Sequence, residues 1–314
     1  EIRKARLRSS INGPAQTQAI AKLIREVDSA LDRISKGTYG ICETCNEGIE
    51  KDRLLADPLM QYCVDHLTAD QRHALQDDLD LASKIQRALL PPGRFRAAGY
   101  QAHYFYQPMG AVSGDYCDLI PHENGGADLF FAIGDVSGKG VAASMLMTHL
   151  HAMFRSLATV GFPLDQLLSK ANRVFCESTL AGQFATLVCG RARHTGEVEI
   201  SGAGHPPVLH VRKNGASAIE SSGVPLGMFC DAQFGVQRIA MDPGDCLVLY
   251  TDGISETRNP AGIEYGTHNL SKLVSAKHGT APEALAAACL EELKAYSSGT
   301  PQFDDRTLLI IHRA

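Results

Sequence analysis

Aspartates that end or open apolar runs are the residues of this sequence best placed to do chemistry. Asp135 follows the run LFFAIG and precedes a Ser-Gly-Lys-Gly turn, and Asp252 follows CLVLYT. Asp304 and Asp305 lead into RTLLII, and Asp115 heads a further apolar stretch. Runs of consecutive apolar residues mark strands buried on both faces, and the turn residues mark where they stop. Buried strands end near one another, so these carboxylates converge. Converging carboxylates repel and resist ionisation unless cations offset them. Oxygen donors select hard cations, so the expected centre holds two divalent ions.

A second set has softer donors. Cys42-x2-Cys45 is followed, after seventeen residues, by Cys63-x2-His66. Two close pairs joined by a short excursion supply the four ligands of a tetrahedral Zn2+ site. A closed four-ligand site is structural, so this zinc is expected to stabilise and to take no part in catalysis. The other cysteines, Cys117, Cys176, Cys189, Cys230, Cys246 and Cys289, are scattered through apolar segments and read as reduced core residues.

Among the supporting elements, Leu23, Ile24, Val27, Leu31 and Ile34, with Ile20, recur three and four apart and predict an amphipathic helix over 15–35. A second helix is predicted over 67–90, its stripe formed by Leu75, Leu79, Ala82, Ile85 and Leu89 and its end set by Pro91-Pro92. A narrow stripe suits a two-helix seam, as in a homodimer through the N-terminal and linker helices. Three domains follow: 1–66, helix plus finger; 67–92, linker helix; 93–314, the large domain. In the last, strands are expected near 100–107, 115–121, 128–134, 184–193, 197–202, 207–213, 236–241, 246–251 and 306–312. Helices are expected over 141–160, 164–180 and 282–296. Many antiparallel strands with a few long helices predict an α+β fold, a sandwich of two antiparallel sheets flanked by helices.

With 314 residues, 44% hydrophobic and 21% charged, the chain is long enough for two cores. A net charge of -5 argues against broad nucleic-acid or membrane binding. No apolar run approaches the roughly 20 residues that span a bilayer, and no signal-peptide pattern opens the chain. The expected location is the cytoplasm.

Two stretches carry family resemblances. GTYGICETCNEGIEKDRLLADPLMQYCVDH resembles the zinc finger of the DksA/TraR family of bacterial transcription regulators, which act on RNA polymerase. His66 stands where that family usually has cysteine. Further on, Ser113-Gly114-Asp115-Tyr116-Cys117-Asp118, Gly134-Asp135-Val136-Ser137-Gly138-Lys139-Gly140, Ala203-Gly204-His205-Pro206-Pro207, Gly223-Val224-Pro225-Leu226-Gly227, Tyr250-Thr251-Asp252-Gly253 and Asp304-Asp305-Arg306-Thr307 occur in order. This succession resembles the PPM (PP2C-type) serine/threonine phosphatases of the bacterial SpoIIE/RsbU branch, and IQRALLPP resembles that branch's regulatory linker helix.

The second resemblance implies a PP2C-like αββα sandwich and a binuclear Mn2+ or Mg2+ centre, two ions that accept similar ligands. Asp135 would bridge the ions, the Val136 carbonyl would complete one shell, and Asp115, Asp252 and Asp304 would supply the other carboxylates. Asp305 is the rival of Asp304, because one of two adjacent residues at a strand start points into the site. Two ions activate one water and offset phosphoryl charge, giving direct hydrolysis of a phosphomonoester with no phosphoenzyme. Asp118 and Glu256 are candidates for orienting water, His205 for a general acid or a turn, and Arg306 for substrate phosphate. Gly134-x3-Gly138-Lys139-Gly140 is one residue short of a Walker loop and lacks the following Ser/Thr. The implied substrate is a phosphorylated protein of the anti-anti-sigma type. The alternative is a regulatory binding protein whose finger contacts RNA polymerase or another partner, with a latent phosphatase scaffold; a dimerisation or sensing role for the finger is also open.

Overall fold

The computed structural model describes residues 14–66, 69–121 and 128–314. It separates into two compact units, Glu1–Asp78 and Leu79–Ala314. The first contains α1 (Pro14–Ser35), α2 (Lys51–Ala56) and a single 3-10 turn, Val64–His66. Helix α3 (Ala69–Leu89) starts in this unit and finishes in the second. Positions 67 and 68, where the predicted linker helix begins, and the Ile20 side chain lie outside the described residues.

In the first unit α1 is fastened to the finger by polar contacts. Buried Arg33 donates from Nη1 to the Met60 carbonyl at 2.7 Å and from Nη2 to that of Leu59 at 3.2 Å. Gln61 Nε2 donates to Ser29 Oγ at 3.2 Å. Leu31 and Ile34 stay exposed, so much of the predicted apolar stripe is uncovered in this unit.

The second unit comprises β1 (Arg94–Ala97), β2 (Tyr100–Gln107), β3 (Tyr116–Pro121), β4 (Asp128–Val136), α4 (Gly140–Ala158), α5 (Leu164–Ser178), β5 (Ala185–Arg193), β6 (Glu197–Ala203), β7 (Val208–Arg212), β8 (Gly215–Ile219), β9 (Gln237–Ala240), β10 (Cys246–Tyr250), α6 (Asp252–Ser255), α7 (Gly266–Ala276), α8 (Pro282–Ser297) and β11 (Arg306–Arg313). The strands form a six-stranded sheet, β1-β2-β11-β10-β7-β8, and a five-stranded sheet, β3-β4-β5-β6-β9, with every neighbouring pair antiparallel.

Alternation along the strands builds the layers. Leu129, Phe131 and Ile133 of β4 meet Leu309 and Ile311 of β11 between the sheets. Phe130 and Ala132 turn instead to Met147, Leu150 and Phe154 of α4 and to α5. Leu308 and Ile310 pack beneath α7 and α8. Strands with one sheet face on helices and the other on a second sheet are apolar at every position, which is why they read as continuous runs.

Asp118 lies in the middle of β3, fully buried, and accepts from Arg155 Nε at 2.7 Å and Nη2 at 2.6 Å. It clamps α4 to the sheet. The Arg155 side chain is 45% exposed, so Arg155→Ala is expected to lower stability by about 2 kcal/mol, less than the ~3–5 kcal/mol of a broken, fully buried pair. Urea unfolding measures this, and a loss below about 0.5 kcal/mol would show the pair to be idle. Cys176 of α5 and Cys230 are joined in a disulfide with a Cα separation of 5.7 Å, not reduced as expected. Cys117, Cys189, Cys246 and Cys289 are free and buried.

Candidate active site

The aspartates gather at one end of the sandwich because the strands that carry them stop there. Tyr116 pairs with Gly134, so Asp115, just before β3, lies beside Asp135 near the end of β4. In the other sheet Tyr250 pairs with Leu308, which sets Asp252, the first residue of α6, beside Asp304 and Asp305 at the start of β11. The two sheets are pinned together at this point. Asp115 Oδ2 accepts from Thr251 Oγ1 at 3.0 Å and also from Thr307 Oγ1. Thr251 and Thr307 are tied in turn, with Thr307 N donating to Thr251 Oγ1 at 3.1 Å.

Asp304 and Asp305 have different surroundings. Asp305 Oδ1 accepts from Met109 N at 2.6 Å and its Oδ2 from Gly114 N at 3.1 Å, so both oxygens hold the loop before β3. Asp304 is half-exposed, and its Oδ2 receives Lys139 Nζ at 3.0 Å. Lys139 follows Gly138, whose φ of +97° is a conformation that side chains resist. Glycine is also required by close approach. A Cβ on Gly114 would lie 3.0 Å from the Val136 carbonyl and 3.2 Å from Asp135 Oδ1. One on Gly253 would collide with the Asp305 carbonyl at 1.9 Å.

Burial pushes the Asp115 carboxyl well above its ordinary range, and Asp135 pushes it further, against the opposing hydrogen bonds of Thr307 and Thr251. Asp135 is raised to about 8 by burial and by Asp252, Asp304 and Asp305. Burial and Asp304 raise Asp252. Such a set fits divalent cations: hard oxygen donors, mutual repulsion to be relieved, and a glycine at 114 whose missing Cβ keeps a side chain away from Asp135 and the Val136 carbonyl.

The raised carboxyls set the pH response of protein freed of divalent ions. Between the ordinary value near 4 and the raised values, the folded state holds protons that the unfolded state has lost. Stability is therefore greatest below about pH 4, as far as these groups are concerned, and falls as pH rises toward about 8, by at most about 1.4 kcal/mol per pH unit per group. Urea midpoints at pH 5 and pH 8 should show this decline without Mn2+ and its reduction with Mn2+. A flat metal-free profile would contradict the burial of these groups.

Other residues hold the site indirectly. Gln86 of α3, itself buried, donates from Nε2 to the Ser113 carbonyl at 2.7 Å and accepts from Ser113 N at 3.0 Å. Ser113 Oγ accepts from Asp115 N at 3.0 Å. Sequence reasoning overlooks Gln86, Thr251 and Thr307 in these positioning roles, although all three lie inside the motifs it singles out. His205 is buried, contacts Thr186 Oγ1 through Nδ1 at 3.0 Å, and burial lowers its pKa to about 3, which suits the turn reading of its motif. Glu256 lines a cavity beside Asp304.

In the first unit, the zinc-type ligands converge. Donor atoms of Cys42, Cys45, Cys63 and His66 all lie within 4.8 Å of one another. Cys63 Sγ is 3.8 Å from Cys45 Sγ and 3.2 Å from His66 Nδ1. The first knuckle is closed by Cys42 N donating to the Glu47 carbonyl at 2.8 Å. The second is closed by His66 N donating to that of Cys63 at 3.1 Å. Three thiols and an imidazole in this arrangement fit Zn2+.

Both units of the chain resemble known proteins. Residues 37–65 match the prokaryotic dksA/traR C4-type zinc finger. Protein IcfG of Synechocystis sp. is 26% identical over 265 residues, covering 75% of this chain and 41% of IcfG. Phosphoserine phosphatase RsbU of Bacillus subtilis is 24% identical over 244 residues, 76% of this chain and 71% of RsbU. Among solved structures, the SiaA-PP2C domain of Pseudomonas aeruginosa superposes with a TM-score of 0.67 at 19% identity, covering 78% of this chain and 99% of that domain, which establishes a PP2C-like fold. The stage II sporulation protein E (SpoIIE) model matches residues 125–314, more than half of the chain and every strand from β4 to β11, and the chain belongs to that family.

Proposed function

We propose that this protein is a metal-dependent phosphatase of phosphoserine and phosphothreonine in proteins. The observation that carries the reading is the cross-sheet meeting of Asp115, Asp135, Asp252 and Asp304, with Asp115 pinned by Thr251 and Thr307 of the opposite sheet. These carboxylates and the Val136 carbonyl would hold two Mn2+ or Mg2+ ions. When bound, the ions activate an attacking water and stabilise charge on the phosphoryl oxygens. The chain's own contribution is positioning. Thr251 and Thr307 occupy one oxygen of Asp115 and leave the other for the centre. Asp305 and Gln86 fix the loop that presents Asp115. Lys139 places a positive charge at the exposed edge, beside Asp304.

The resemblance to the RsbU branch supports a phosphorylated regulatory protein of the anti-anti-sigma type as substrate. Exposed Leu75, Leu81 and Ile85 on α3 support a homodimer through the N-terminal and linker helices. The closed zinc-type site supports a structural role for Zn2+ through Cys42, Cys45, Cys63 and His66. Among the described residues no helix is long and apolar enough to cross a membrane, in keeping with a cytoplasmic protein.

The test is release of inorganic phosphate from a phosphoserine peptide with Mn2+ or Mg2+, with a chelator control and an acid quench for labelled protein. Turnover should require the ion and leave no phosphoenzyme. A covalent phosphoprotein, or turnover indifferent to the chelator, would refute the mechanism.

A further inference from the structure

Arg306 opens β11 two residues beyond Asp304. By strand alternation it shares the face of Leu308 and Ile310, opposite Thr307. It is partly buried, its Nε is shut off from solvent, and among the described residues its guanidinium makes no hydrogen bond or ion pair. Burial lowers its pKa. A buried donor without a partner is costly, and a ligand entering from solvent can supply one to Nε.

The place where that partner would bind is a cavity of about 440 Å³ lined by Arg306 together with Lys139, Glu256, Arg258, Phe303 and Asp304. The other two cations are already engaged. Lys139 is paired with Asp304 at 3.0 Å, and Arg258 Nη2 with Glu264 at 2.8 Å. Asp304 belongs to both the cavity wall and the carboxylate cluster, so a chain whose phosphoseryl group sits at the cluster can run directly into the cavity. Asp304 and Arg306, two positions apart in the chain, both line this cavity, so Arg306 stands near a phosphoryl group held at Asp304. Within its reach lies a side chain one to three positions along the substrate.

We propose that this cavity is a specificity subsite in which Arg306 receives an acidic side chain of the phosphoprotein, one to three residues from the phosphoserine. A guanidinium pairs with a carboxylate through two parallel N–H donors, a geometry that neither an amide nor an ammonium reproduces. This inference rests on the phosphatase reading.

The test uses three phosphoserine peptides that differ only in that neighbouring residue: glutamate, glutamine or lysine. With Mn2+, the native protein should favour the glutamate peptide over the glutamine peptide by about tenfold in kcat/KM, through KM. Arg306→Met should bring that ratio close to one, and Arg306→Glu should turn the preference toward lysine. A native ratio of one, or a preference that survives Arg306→Met, overturns the subsite. Fluorescence anisotropy of the same peptides with the native protein, without added metal, separates the two readings. Tighter binding of the glutamate peptide that is lost in Arg306→Met supports the subsite even if no peptide is hydrolysed. Equal binding of the glutamate and glutamine peptides rejects it whatever the turnover.

Discussion

Asp135→Asn is expected to lower phosphate release by roughly 10³-fold or more, which corresponds to about 4 kcal/mol of transition-state stabilisation. The side chain stands near the end of β4 between carboxylates from both sheets, and Gly114 keeps a Cβ away from its Oδ1. An amide of the same size keeps the packing but removes the charge that would bridge two ions. Calorimetry should show a loss of Mn2+ binding in the variant. Stability should move the other way. Ionisation of Asp135 is opposed by burial and by Asp252, Asp304 and Asp305, so the metal-free variant should be more resistant to urea at pH 8 than the metal-free native protein. Lost turnover with gained stability separates a missing ligand from a misfolded chain. Native turnover in the variant would remove Asp135 from the centre.

Cys63→Ser is expected to unfold the finger. Its buried cluster consists of Cys42, Ile49 and Cys63, with Cys45, Leu54 and Tyr62 packed against them, so half of that small core is made of proposed ligands. A module of this size has no apolar interior to fall back on. Structural zinc contributes on the order of 10–16 kcal/mol to the folding of such peptides. Serine at 63 would break the pair that Cys63 forms with both Cys45 and His66. Zinc content should fall from one equivalent to none, and the stretch 37–66 should become sensitive to protease, while the sandwich of the second unit keeps its unfolding transition. A variant that retains zinc and resists protease would refute the assignment.

The sandwich is legible in the sequence where strands are buried on both faces. LFFAIG and CLVLY are apolar without interruption because helices cover one side and a sheet the other. The loop aspartates that follow can then be expected to meet. Elements with little apolar content are not visible in this way. Strand β1, RFRA, is an edge strand without a fully buried position, and β8, GASAI, offers small residues and no alternation. Helix α7 buries Leu270 and Val274 alone, one turn apart, too weak a pattern to announce it. Polar partnerships are hidden for another reason: they join residues far apart in the chain. Asp118 reads as a candidate for orienting water until Arg155 is brought against it, and Cys176 reads as a core thiol until Cys230, 54 positions away, arrives beside it. Asp304 and Asp305 cannot be told apart by type or spacing. Only the backbone amides of Met109 and Gly114 distinguish them.

The cross-sheet pin on Asp115 also bears on how the protein is made. Thr251 lies 136 positions and Thr307 192 positions further along the chain from the carboxylate they hold. Contacts of such sequence separation form late, because the entropy of closing long loops must be overcome before they can contribute. A growing chain that has displayed Asp115 and Asp135 has no completed centre until synthesis has passed Thr307. The phosphatase would therefore be switched on in one step by the finish of folding, and metal uptake would report that the whole sandwich has assembled.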